Sequence, residues 1–303
     1  MSNLASAYGN FLGAALPYFQ AMPAIVTPGA TLVKPGGRVA AYVRSTGAVD
    51  GEDHFASSGM LVSTIAAGLA RCRSGQNDIV YCLPGHTETF AATGPIFTGV
   101  IGAQIIGVGV PGATNNPTIN LTHAGASVAL SVANMSICGM NIIGGVATAT
   151  ASIVITGAGV TLAGNYLNFA GGALGANSPI ALTGAANCSI AGNTIIADST
   201  AVLIAITVNT ATNFLIAGNV GRQNQATSGG GFASTASTLL ISGMFIKNYF
   251  KTATTTTGGA GGAGIVLGAN TITTVGNIEN YGCDETAAAG LLQRIRYAVS
   301  RWR

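Results

Sequence analysis

Charge is what this 303-residue chain has least of. Lys, Arg, Asp and Glu together make up 7% of it, where ordinary globular chains carry roughly 25%. Between Thr89 and Gly221 the only formally charged residue is Asp198, and Asp198 is also the only acid within Ala92–Ile278. A glycoside hydrolase needs two carboxylates flanking the scissile bond, so that stretch cannot supply such an enzyme within one protomer. Glu88 with Asp198 is a forced pairing across several repeats, and only a site between subunits, borrowing Glu279 or Asp284 from a neighbour, escapes the exclusion. A net charge of +3 is too small to hold a phosphate backbone.

Other absences narrow the field further. The five cysteines (Cys72, Cys82, Cys138, Cys188 and Cys283) are scattered and odd in number, with no CxxC and no Cys/His metal spacing; Cys138 and Cys188 read as small buried apolar residues. No run of eighteen apolar residues suggests a membrane span, and no basic start followed by an apolar core suggests a secretory signal. Aromatics are 6% of the chain, and Tyr166 and Tyr249 are the only tyrosines within Ala92–Ile278, thin provision for stacking sugars. His54 lies in an acidic turn, His86 follows a Pro-Gly turn where Thr87 or Thr89 would position it, and His123 ends a strand. Glu52 and Asp53 beside His54 could hold a cation but read more simply as a solvated turn, and none of the three histidines stands in a Ser/His/Asp or Cys/His arrangement. The glycine-rich stretch Gly258–Gly264 lacks the Lys-Ser/Thr of a phosphate cradle. No catalytic residue, cofactor or metal is assigned, and the chain reads as non-enzymatic.

What the chain does have is a repeat. A phrase of apolar, any, apolar, any, Gly, then usually Asn or Met, returns at Ala103–Val110, Met135–Ile142, Val160–Leu167 and Cys188–Ile195, and more loosely at Phe214–Gly221, Leu239–Ile246 and Ile272–Glu279. Its glycines are Gly107, Gly139, Gly164, Gly192, Gly218, Gly243 and Gly276, in steps of 32, 25, 28, 26, 25 and 33 residues. Self-similarity at that period marks a stacked solenoid. Period-2 spacing puts Val160 with Leu162, and Cys188 with Ile190, on one face of a strand. Gly and Asn, which tolerate left-handed backbone, then bend the chain. A second alternating run precedes most copies, as in Ile153-Val-Ile155, Ile180-Ala-Leu182 and Ile204-Ala-Ile206. A unit of about 25 residues with two or three short strands is the length of one turn of a right-handed parallel β-helix, here about seven to eight coils. Stacking would align Asn165, Asn193 and Asn219 into a hydrogen-bonded amide ladder.

The flanks differ from the repeats. Residues 1–38 form an apolar arm with scattered aromatics (Tyr8, Phe11, Tyr18, Phe19) and no period; an apolar segment unable to build its own core should pack on a neighbour. Residues 39–78 supply a lead-in strand, Val39–Val43, and a helix from Met60 to about Arg73. Ser57 or Ser58 caps that helix, and Leu61, Ile65, Leu69 and Cys72 form its apolar stripe. Coils fill 79–282. Residues 283–303 read as a basic C-terminal helix, with Leu291, Leu292, Ile295, Val299 and Trp302 at helical spacing and Arg294, Arg296, Arg301 and Arg303 within the last ten positions, capping the solenoid's end.

The phrases "STIAAGLARC" and "GQNDIVYCLPGHTETF", with the "AVDGEDHFASSG" before them, resemble the entry of pectin-lyase-like β-helix proteins, in which a helix caps the first coil. With charge-poor Gly/Thr/Ala coils, residues 39–282 are most similar to virion proteins of tailed bacteriophages. The resemblance implies a structural virion protein, foremost a capsid decoration (cement) protein. It would be a homotrimer gripping the major capsid protein through the arm and the arginine tail, made in the host cytoplasm and residing on the capsid surface, without nucleic-acid or membrane partners. The rival it implies is a tail-fibre or tailspike component binding a host surface glycan. A secreted adhesin or ice-binding solenoid would want a secretion signal or Thr-x-Thr on every coil, and the Thr-rich run Thr252–Thr257 occurs once.

Overall fold

A computed structural model describes residues 37–45, 60–92, 94–96, 100–144, 151–169, 179–197, 205–223, 233–235, 241–252, 265–266, 272–278, 281–284 and 293–294. They form a parallel β-solenoid of about five turns with almost no helix. Three sheets run along its axis, of ten, nine and seven strands. The first carries Ile79–Cys82, Gln104–Gly107, Ser136–Cys138, Thr161–Ala163, Ser189–Ala191 and Phe214–Ala217 as successive neighbours. The second stacks Thr118–Leu121, Asn141–Gly144, Tyr166–Asn168, Thr194–Ile196 and Val220–Gln223. The third stacks Ala126–Leu130, Ile153–Ile155, Ile180–Thr183 and Ile206–Asn209.

Register follows the hydrophobic pattern. Ile137, Leu162, Ile190 and Ile216 stack in one column of the first sheet, Ile142, Leu167 and Ile195 in the second, and Ile153, Ile180 and Ile206 in the third. All are fully or almost fully buried in one continuous core. A one-residue slip would turn each column outward, which is why alternation pins the register so strongly. In the third sheet the inward pair is Ile206 and Val208, one alternation later than the Ile204–Ile206 frame expected from sequence.

Two corners of each turn are built from left-handed residues. Between the first and second sheets these are Gly139, Gly164, Gly192 and Gly218, with φ from 60° to 70°, and then Lys247 at 51°. Between the third and first sheets the column reads Asn77, Gly102, Asn134, Gly159, Asn187 and Asn213, all at positive φ. Asn and Gly share this second column for a steric reason: a Cβ on Gly159 would lie 2.3 Å from Asn134 Oδ1.

The repeat glycines do not all serve one purpose. Gly107 lies in a strand without a left-handed φ, and a Cβ there would meet Gly139 O at 2.4 Å. Gly243 also lies inside a strand, Ile241–Ile246, where a Cβ would sit 2.5 Å from the Phe214 ring. Ala217 pairs with Ile246, so the turn equivalent to Gly218-Asn219 is Lys247-Asn248, four residues after the expected Gly243. Gly276 pairs with Met244 within Ile272–Ile278, again a strand position.

The lead-in helix is shorter than its apolar stripe predicts. Leu61–Val62 is a strand alongside Val39–Val43, and the helix, α1, covers Ile65–Leu69. Its cap is Thr64, whose Oγ1 accepts the Ala67 N–H at 3.1 Å, in place of Ser57 or Ser58, which lie outside the described residues. Parallel pairing with the first sheet gives Leu61 and Val62 backbone partners that a helical turn at the chain's edge would not. Gly68 lets α1 sit against the end of the core, since a Cβ would come within 2.7 Å of Val80. At the other end, Gln293–Arg294 is a strand antiparallel to Tyr281–Asp284, where the sequence suggested helix. The remainder of that segment lies outside the described residues. No helix among the described residues is long and apolar enough to cross a membrane.

Candidate functional site

The most organised polar feature is a buried amide column at the corner between the first two sheets. Asn165 Nδ2 donates to Asn193 Oδ1 at 3.0 Å, Asn193 Nδ2 to Asn219 Oδ1 at 3.0 Å, and Asn219 Nδ2 to Asn248 Oδ1 at 2.9 Å. Each Oδ1 also accepts the backbone N–H of the asparagine one turn earlier, at 3.0 Å. Each Nδ2 donates its second hydrogen to a backbone carbonyl of the preceding turn: Ile137, Leu162, Ile190 and Ile216 for Asn165, Asn193, Asn219 and Asn248. At the open end Met140 N donates to Asn165 Oδ1. The left-handed residue before each asparagine turns the amide inward over its neighbour. Sequence spacing points to Asn165, Asn193 and Asn219; Asn248 was missed because its partner in the turn is Lys247 rather than Gly.

A second asparagine cluster stands beside it. The connection between Gln104–Gly107 and Thr118–Leu121 folds over the second sheet. Gly112 N and Asn116 Nδ2 both donate to Asn141 Oδ1, at 2.8 and 3.0 Å, and Asn141 Nδ2 donates to Ala113 O. This insertion accounts for the long first step of the repeat.

Titratable groups gather at the entry of the solenoid. Asp78 is buried and accepts from Arg73 Nη2 at 2.8 Å and Arg73 Nε at 3.0 Å, and from the backbone N–H groups of Arg73 and Arg38. Hydrogen bonding from Arg73 outweighs burial and holds the carboxyl well below the usual carboxylate range. Glu88 Oε2 accepts the first helical N–H, Ile65 N, at 2.9 Å. His86 is fully buried with Nε2 3.3 Å from the same oxygen, off the hydrogen-bonding direction. Glu88, and neither Thr87 nor Thr89, is thus the polar neighbour of His86, and the same carboxylate reaches the first residue of α1. His123 Nδ1 accepts the Gly125 N–H at 3.0 Å, a local turn contact.

Cys72, Cys82, Cys138 and Cys188 are thiols rather than halves of disulfides. Burial pushes the Cys82 thiol far above its ordinary value and raises Cys188 as well; Cys72 is pushed up to about 11 by burial and then by Asp78. Raised thiols are poor nucleophiles. Among the described residues no group of three or more His, Cys, Asp or Glu side chains is placed to hold a metal. Tyr8, Phe11, Tyr18, Phe19, Arg296, Arg301, Arg303, His54 and Asp198 lie outside the described residues, and Arg294 falls in the short antiparallel strand.

The outward faces carry two patterns. On the second sheet, register stacks Tyr166, Thr194, Val220 and Tyr249 in one column, of which Val220 and Tyr249 are 52% and 37% exposed. On the first sheet the outward residues are small: Ser136, Thr161 and Ser189 in one column, Cys138, Ala163 and Ala191 in the next.

No family model matches this chain, and no curated protein matches it. Among solved structures, ORF18 of Geobacillus virus E2 is similar over 72% of this chain and 57% of that one, at 11% sequence identity and a TM-score of 0.25. This chain therefore spans little more than half of that protein's length, and the likeness is too slight to speak for fold or function.

Proposed function

We propose that this chain is a structural protein of a tailed-phage virion, and within the virion a capsid decoration protein that stiffens the head. The observation that supports this most directly is the amide ladder. It joins successive turns through neutral, fully paired hydrogen bonds beside an apolar core, an arrangement suited to a rod that carries force rather than to one that holds a substrate. The role is mechanical and not catalytic. Copies associate as a homotrimer through uncharged sides, in keeping with the single charge between Thr89 and Gly221. The basic C-terminal residues meet major capsid subunits, assembly takes place in the host cytoplasm, and the mature site is the capsid surface.

A second reading, a tailspike-like rod that binds host glycan, has one observation in its favour: Tyr249 is exposed on the outward column of the second sheet, and an exposed aromatic face stacks sugars. The test is copy number per purified virion, by quantitative mass spectrometry against the major capsid protein. Hundreds of copies fit decoration. A handful in multiples of three fits a tailspike and calls for a glycan-binding screen, and none at all sinks both readings.

A further inference from the structure

Charge is scarce in this chain, so the place where it gathers is informative. At the entry end of the solenoid three arginines stand together: Arg38 just before the lead-in strand, and Arg71 and Arg73 just after α1. Arg71 is exposed, and the Arg38 and Arg73 side chains are 58% and 49% exposed. Arg38 Nη2 donates to Arg71 O at 3.5 Å. Arg38 Nε and Arg73 Nη2 lie 3.6 and 2.8 Å from the carboxylate of Asp78.

The fold requires only one of these side chains. The Asp78 carboxylate accepts from Arg73 Nε and Nη2 and from the backbone N–H groups of Arg73 and Arg38. A carboxylate offers about four acceptor positions, so Asp78 is satisfied without the side chain of Arg38 or Arg71. The 3.6 Å approach of the exposed Arg38 Nε adds little. With five residues, α1 has little dipole for Arg71 and Arg73 to offset. Three guanidiniums thus face one carboxylate that is already saturated. Glu88, the other acid described at this end, is turned to Ile65 N at the start of α1. Around the cluster Ala66, Ala70, Ser74 and Gly75 are exposed, small neutral residues that let a broad surface come close. Ile101, 41% exposed, adjoins it, its carbonyl accepting Gly75 N at 2.8 Å.

We propose that this cluster is a docking site for an acidic protein surface, whose carboxylates Arg38, Arg71 and Arg73 receive through paired N–H···O bonds. Guanidinium forks suit carboxylates in that geometry. Asp78 and the Arg71 carbonyl hold two of the forks in place before a partner arrives, which lowers the ordering cost of binding. Three cations are a poor grip on a phosphate backbone, and an exposed isoleucine beside them suits a protein better than a bare polyanion. The site lies at the other end of the solenoid from Arg294 and does not depend on the virion reading.

The test uses the full chain and a fluorescein-labelled peptide of alternating Asp and Glu, with binding read by fluorescence anisotropy at low salt. Arg38→Gln/Arg71→Gln should weaken binding about tenfold, as should added salt. Its melting temperature should stay nearly unchanged, because the bonds to Asp78 remain. A chain with Arg294, Arg296, Arg301 and Arg303 all changed to Gln should bind as the natural chain does. Undiminished binding by the Arg38→Gln/Arg71→Gln chain, or a loss confined to the C-terminal variant, overturns the proposal. Should the double variant melt early, Arg71→Gln alone, which leaves every bond to Asp78 in place, must still weaken binding severalfold; unchanged affinity overturns the idea. Asp50, Glu52 and Asp53 lie outside the described residues. Binding that is absent in the natural chain and appears in Asp50→Asn/Glu52→Gln/Asp53→Asn would make those acids the cluster's own partners and overturn an external one. Tighter binding of an oligodeoxynucleotide of equal charge through the same arginines would make the ligand a phosphate and overturn the carboxylate assignment.

Discussion

Asn193 uses every hydrogen-bonding position its amide has: two donations, to Leu162 O and Asn219 Oδ1, and two acceptances, from Asn165 N and Nδ2. Replacing it by Leu keeps the volume but strands buried donors and an acceptor on both neighbouring turns. Unsatisfied buried groups cost roughly 1–3 kcal/mol each, so Asn193→Leu should lower unfolding stability by about 3–5 kcal/mol, read from the denaturant midpoint at constant slope. Lys247 presents the opposite case. It occupies at φ 51° the place that Gly218 fills one turn earlier, and a side chain in that region costs about 1 kcal/mol. Lys247→Gly should therefore stabilise slightly, by up to about 0.5 kcal/mol after the added flexibility of the unfolded chain is subtracted; a lower melting temperature would contradict this. Asp78 sets an acid limit. Because its folded pKa is depressed, its contribution is full above the unfolded value of about 3.9 and fades as pH falls below that toward the folded value. Thermal melts from pH 7 to pH 2 should show a loss of stability on the acid side that Asp78→Asn largely removes, at the expense of lower stability at pH 7.

At the scale of elements, α1 is held by two acceptors from different sources. Thr64 Oγ1 takes the Ala67 N–H from within the local sequence, and Glu88 takes the Ile65 N–H from a strand 23 residues away. Thr64→Ala should cost about 1 kcal/mol. Glu88→Ala should cost more, about 2 kcal/mol, since it also leaves the buried His86 ring without its polar neighbour; equal effects in urea unfolding would deny Glu88 that second role. This pair also shows where sequence reading stops. The strands, their inward residues and three of the four ladder asparagines are legible because period 2 and Gly-Asn recur locally. Thr64 was legible in principle as a cap, yet the apolar spacing of Leu61 with Ile65 favoured a longer helix, and only pairing with Val39–Val43 turns Leu61–Val62 into strand. The Glu88 contact and the burial of Ser136 and Thr161 leave no local mark, because each depends on what stacking or a distant segment brings near. Gly243 misled for a related reason: glycine serves both turns and close approaches, and here the Phe214 ring, not a turn, requires it.

For the whole molecule the decisive surface is the second sheet's outward column, since the small outward residues of the first sheet are buried. Val220 stands there between Thr194 and Tyr249, half exposed, at the end of the charge-poor stretch, with Arg222 pairing Lys251 two positions further along the same strands. An exposed apolar column favours association, and a symmetric trimer would bring equivalent columns from three copies toward one axis. Val220→Lys then places three like charges near that axis. The strand itself tolerates the change, because an exposed strand position varies by no more than about 1 kcal/mol with residue type. Sedimentation equilibrium should therefore find a trimer for the natural chain and a shift toward monomer for Val220→Lys, with the melting temperature of the solenoid nearly unchanged. A monomeric natural chain would remove the homotrimer from the proposal. A variant that stays trimeric would keep the trimer and move its interface to the third sheet, whose outward residues would then be the ones to charge.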